Sequence, residues 1–140
     1  MADGTGMLRL AYWAGAAVDA AMVVPLLAPR VAAAMLGLHG FAPTPDYRYA
    51  AALCAALMAG WTALLVWAGR APVERRGVLL LTVCPVLVGL AAAGGYAVSS
   101  GLVRFAYMAP VLVVQLVLAV LFLSTYRRAR ALSDETDRRG

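Results

Sequence analysis

The sequence predicts an all-α membrane protein: an antiparallel four-helix transmembrane bundle with a short interfacial helix after the first span. Three observations carry that reading. Of 140 residues, 64% are hydrophobic and 14% charged, with a mean hydropathy of +0.82. A soluble chain of this length buries only about 70% of its unfolded surface and needs polar residues to cover the rest. The apolar residues also fall into four runs of about the 20 residues that a helix needs to cross some 30 Å of hydrocarbon. Finally, the charges collect in the breaks between those runs and in a tail. One transmembrane domain over residues 1–130, followed by a mobile polar tail over 131–140, is the expected organisation.

Residues Met1 to Gly6 are short, polar and Gly-containing, and read as a frayed leader. The first span covers residues 8–28 and coincides with the run RLAYWAGAAVDAAMVVPLLAP over 9–29. Arg9 at its start and Ala32, Ala33 and Ala34 after it imitate a signal peptide. The run is longer than a signal core of about 7 to 15 residues, however, and it carries Asp19 near its middle, so it reads as a span. The connection over 30–48 has two parts. RVAAAMLGL is helix-forming and stops at Gly37 and Gly40, whereas FAPTPDY is turn-like through Pro43 and Pro45. A short interfacial helix and then an irregular cap are expected there.

The second and third spans cover 49–68 and 78–98, joined by the tight loop APVERRG. Glu74 in that loop can pair with a neighbouring Arg, a contact worth about 0 to 1 kcal/mol when exposed. The fourth span covers 105–126, and RRARALSDETDRRG should prolong its helix by a turn or two before becoming solvated.

Four spans place both termini on one side. Arg9, Arg70, Arg75, Arg76, Arg127, Arg128 and Arg130 lie near span ends on that side, against Arg30, Arg48 and Arg104 on the other. The positive-inside rule then puts both termini in the cytoplasm of a bacterial inner membrane. The seven arginines become headgroup anchors, those of the tail gaining about 1 kcal/mol each from an anionic leaflet. Tyr12, Trp13, Trp67 and Tyr126 fall toward the inner interface, and Tyr47, Tyr49, Phe105 and Tyr107 toward the outer. The formal charge of +5 therefore points to the lipid bilayer and its anionic headgroups rather than to nucleic acid, since no aromatic-basic surface strip accompanies it.

In lipid no hydrophobic force draws apolar helices together, so small residues and polar contacts must do so. Ala16 and Ala20 in the first span are suited to helix packing. So are Ala52, Ala56 and Gly60 in the second, and Gly89 with Ala93 and Ala91 with Gly95 in the third; a homodimer can also form through one of these rows. The fourth span, with VLVVQLVLAVLFL at its centre, should touch the others through a narrow stripe around Gln115. Pro25, Pro85 and Pro110 free the carbonyls of Ala21, Leu81 and Ala106 and favour bends.

An ionised Asp at a helix centre costs about 2.5 to 3.5 kcal/mol on insertion scales, so Asp19 needs a partner or a proton. Counting residues from the membrane faces puts Gln115 at a similar depth, and its amide suits either form of the carboxyl. Tyr12 shares the helical face of Asp19 and is placed to line the inner end of a path. Thr62 and Trp61 are further candidates, although a Thr often satisfies itself against its own preceding turn. Asp19, Gln115, Tyr12 and Thr62 thus form the candidate intramembrane polar site. Cys54 and Cys84 read as small buried apolar residues without a disulfide, and His39 as a solvated loop residue. No residue spacing suggests a metal site, a cofactor or a catalytic constellation.

The PLLAP end of the first span, followed by AAAMLGL and then three more spans, resembles the DoxX-like group of small four-span bacterial membrane proteins. That resemblance covers most of the chain at the level of layout and implies a compact bundle. A second resemblance is to the small multidrug resistance transporters, whose first-span acid handles proton and cationic drug; Asp19 would take that role. Here the acid is Asp rather than Glu, the first outer connection is long, and VLLLTVCPVLVGLAAAGGY lacks that family's aromatic third-span pattern. The expected function is a polytopic inner-membrane protein of structural or accessory type. The alternative is a small dimeric proton-coupled exporter using Asp19. A redox subunit ranks third, with no pair of histidines for haem.

Overall fold

A computed structural model describes residues 2–137, with side chains described for residues 6–131. Five helices follow one another: α1 (Ala2–Leu27), α2 (Pro29–Leu36), α3 (Pro45–Ala68), α4 (Gly77–Ser99) and α5 (Phe105–Asp137). Four of them are long and apolar enough to cross a membrane, over Gly6–Leu27, Pro45–Ala68, Gly77–Ser99 and Phe105–Ala131. Only 17 to 22% of each span's most apolar stretch is buried inside the protein, as expected when lipid covers the rest. The protein is an all-α membrane bundle.

The helix boundaries follow local chemistry. α2 starts with Pro29 in its first turn and ends on Gly37, whose φ of 64° closes the helix. A Cβ there would also strike the Tyr107 ring of α5, so Gly37 is required twice over. α3 starts at Thr44, whose hydroxyl accepts the Tyr47 N–H at 3.3 Å, with Pro45 and Asp46 in the first turn. Pro85 lies in a π-helical stretch of α4 over Thr82–Leu87, where the Val88 N–H reaches back to the Val83 carbonyl. The widened turn absorbs the missing proline donor within a continuous helix.

Two ends differ from expectation. Ala2 to Gly6 belong to α1 rather than to a frayed leader. α5 runs to Asp137, about three turns beyond Tyr126 rather than one or two, because RRARALSDETD contains no helix breaker; the end of the expected mobile tail, 138–140, lies outside the described residues.

α1 and α3 form the most extensive helix pair, and α5 packs on both α1 and α4. Contact between α3 and α4 is concentrated at the first turns of α4, Gly77–Leu81, whereas Val88–Ser99 lies on α5. The main core sits at the end of the bundle that holds the termini: Leu8, Ala11, Tyr12 and Ala16 of α1 meet Leu65 and Ala68 of α3, Leu79 of α4, and Leu118, Phe122 and Ala129 of α5.

The expected small-residue rows mostly face outward. Ala52, Ala56 and Gly60 are exposed, as are Gly89, Ala91, Ala93 and Gly95, and Ala20. Burial instead falls on Ala51, Ala55 and Gly94, with Ala16 as expected. The rows of α3 and α4 are displaced by one residue, a rotation of about 100° on a helix, which the spacing of small residues alone does not fix. Cys54 and Cys84 are also exposed rather than buried.

Candidate functional site

The terminus-proximal end is built as a clamp. Gly15 lets the Phe122 ring approach α1 so closely that a Cβ would lie 2.6 Å from its Cζ and 3.4 Å from Leu65 Cδ1. One turn toward the terminus, Tyr12 is completely buried and its hydroxyl donates to the Arg75 carbonyl at 2.9 Å. Arg75 fixes its own loop: its guanidinium stacks over the Trp67 ring at 3.6 Å from the centroid and donates to the Trp67 carbonyl. Nearer the middle of the bundle, Trp61 Nε1 donates to Thr82 Oγ1 at 3.2 Å, and Thr82 donates to the Val78 carbonyl at 2.8 Å. Each of these ties crosses from one helix or loop to another, save the last, which stays within α4.

Asp19 stands one turn from Gly15 on the side away from the termini. It is half-buried, and no hydrogen bond or ion pair joins it to another described residue. The expected pairing with Gln115 is not made. With Gly15 and Phe122 setting the register, Asp19 lies four residues, about 6 Å, above their level and Gln115 seven residues, about 10 Å. Gln115 also lines an apolar cavity of about 280 Å³ with Val83, Leu87 and Ala91 of α4, where its Oε1 has no hydrogen-bond partner. Equal depth did not specify azimuth, and a few residues of register were enough to separate the pair.

Tyr12 is part of the clamp rather than an interfacial aromatic or a path-lining residue, since its side chain is enclosed. Thr62 donates to the Met58 carbonyl at 2.9 Å, within its own helix. The four residues of the candidate polar site are therefore spread over separate environments. Of the proposed headgroup anchors, Arg9, Arg70, Arg127, Arg128 and Arg130 are exposed. Arg128 also reaches Met7 Sδ. Arg75 is committed to the clamp, and Arg76 donates to the Val73 carbonyl at 3.4 Å. Glu74 is exposed and makes no ion pair among the described residues.

Two polar residues of the core escaped the sequence reading. Thr82 is buried and receives the indole of Trp61; its signal was a hydroxyl three residues before Pro85 in an otherwise apolar run. Thr125 is buried with no partner for its hydroxyl, and Ser124 beside it bonds to the Leu121 carbonyl of its own helix. Nothing in the one-dimensional pattern separates those two. Among the described residues, no three His, Cys, Asp or Glu side chains come together as a metal site. The arrangement supplies a closed, hydrogen-bonded floor with one unpartnered carboxyl above it. Comparison with family models, curated proteins and solved structures found no match to this chain.

Proposed function

We propose that this polytopic membrane protein is of accessory type: a bundle anchored by its packed end, whose Asp19 offers a polar contact within the bilayer to another membrane-embedded component. The observation that carries this reading is the clamp. Leu8, Tyr12, Leu65, Leu79 and Phe122 are all buried to within 1% of full enclosure. Water reaching Asp19 from the terminal side would have to cross that layer, and an alternating-access cycle would have to break it. The layout resembles that of the DoxX-like proteins, which implies a compact bundle and no particular activity. The arginine excess at the terminal end favours a bacterial inner membrane with cytoplasmic termini and anionic lipids around that end.

The second reading is a dimeric proton-coupled exporter. One observation favours it: Asp19 is only half-buried and has no partner, so its carboxyl is free for a proton or a cation. Reconstitution of the full chain into vesicles with an internal pH indicator separates the two. The accessory reading expects no proton flux above that of empty vesicles on addition of lipophilic cations, for wild type and Asp19→Asn alike. A flux that wild type carries and Asp19→Asn loses would replace it with the exporter reading.

A further inference from the structure

At the end away from the termini, the chain forms a cleft of about 660 Å³ between the α1–α2 corner and the start of α3. That is within the roughly 300 to 1,000 Å³ of small-molecule sites. Its wall is apolar, with Leu26, Leu27, Phe41 and Pro43, and two guanidinium-bearing residues, Arg30 and Arg48, line it as well. Phe41 is braced by Tyr47, edge to face at 5.0 Å between centroids. Neither arginine side chain has a hydrogen bond or an ion pair among the described residues. Asp46, the acid closest to Arg48 in sequence, is exposed and does not line the cleft.

These two residues are two of only three arginines at this end. A topology signal would not bring them together, because basic residues on this side oppose the orientation that the other seven favour. The amino end of α2 forms part of the same wall through Pro29 and Arg30, and its dipole adds positive potential. Ala52 also lines the cleft, and Ala56 and Gly60 continue that line of α3 one and two turns deeper, exposed and with open space where a Gly60 Cβ would be. The combination is a cationic mouth at the membrane surface leading into a shallow apolar furrow.

We infer that this cleft binds an anionic phospholipid of the surrounding leaflet. The phosphate sits between Arg30 and Arg48, where charge-assisted hydrogen bonds hold it. One acyl chain follows Ala52, Ala56 and Gly60 along α3. The furrow accounts for a row of small residues that packs against no other helix, and the phosphate accounts for two otherwise unpaired arginines. Asp19 plays no part, so the inference stands apart from either functional reading.

Native mass spectrometry of the full chain released from mixed micelles containing phosphatidylglycerol and phosphatidylcholine tests it. Wild type should retain one phosphatidylglycerol in preference to phosphatidylcholine. Arg30→Gln with Arg48→Gln should lower that retention about tenfold or more, and Arg104→Gln should leave it unchanged. Ala52→Leu, which keeps both charges and narrows the furrow, should lower retention with unchanged helix content. Inorganic phosphate at millimolar concentration should not displace the lipid, because it lacks the chain. Equal retention of the two lipids, displacement by free phosphate, or an Arg104→Gln loss equal to that of the double variant would overturn the proposal. So would a double variant that loses a dimer rather than a lipid, which would make a second copy the occupant.

Discussion

The inward and outward faces of this bundle use the same amino acids to opposite effect. At the terminal end, glycine and alanine admit neighbours: Gly15 accepts the Phe122 ring, and Ala11, Ala16 and Ala68 are enclosed. On the outward faces, Ala52, Ala56, Gly60, Gly89 and Gly95 are exposed, and the last three have open space at their Cβ positions. Polar groups divide as well, with one exception. Tyr12, Arg75, Trp61 and Thr82 are bonded across the clamp, whereas Asp19, Gln115 Oε1, Arg30 and Arg48 have no side-chain partners; the exception is Thr125, whose hydroxyl is enclosed at the clamped end without a partner. Small residues in a membrane helix thus mark where something approaches closely, and the something is a helix on one face and bilayer or ligand on the other.

That contrast can be broken by substitution. The largest effect should come from Phe122→Ala, which empties the centre of the clamp and should cost about 3 to 5 kcal/mol of bundle stability, read by steric trapping in bicelles. Exposed Phe105 provides the control, and Phe105→Ala should change stability by less than about 0.5 kcal/mol. Tyr12→Phe should cost about 1 kcal/mol by removing the donor to Arg75; no loss would mean that the hydroxyl does not hold the loop. Thr82→Val removes the acceptor of the Trp61 indole and should cost about 0.6 kcal/mol, typical of a polar contact between membrane helices. Trp61 fluorescence should shift with it. Smallest of all, Asp19→Asn should leave stability within about 0.5 kcal/mol of wild type, because no protein group is bonded to the carboxyl. A large loss there would mean that the carboxyl is bonded within the bundle.

The fold was legible because the membrane imposes it. Run length and charge placement specify four spans, and Gly37, Pro43 and Pro45 punctuate the one complex connection, where α2 formed as expected. Thr62 also behaved as its spacing suggested, bonding one turn back. The site was less legible, for a geometric reason. Counting residues gives depth but not rotation, and the contact that sets the register, Gly15 against Phe122, joins residues 107 positions apart in the chain. Without it, Gln115 looks level with Asp19; with it, Gln115 stands nearly a turn higher and faces α4. The same ambiguity of rotation hid the exposure of Ala52, Ala56 and Gly60. Arg30 and Arg48 could be counted as charges in the sequence, but only the turn at Pro29 and the path of Phe41 and Pro43 bring them to one cleft.

The most direct measurement of the asymmetry is to place the same side chain at a glycine of each face and compare unfolding free energies in the same bicelles. Gly15→Leu must displace Phe122 and should destabilise the bundle by about 1 to 3 kcal/mol or more, while Gly60→Leu meets nothing and should stay within about 0.5 kcal/mol of wild type. Equal losses at the two positions, or a greater loss at Gly60, would contradict a bundle closed by Gly15 and Phe122 on its inner face and open along the Gly60 face.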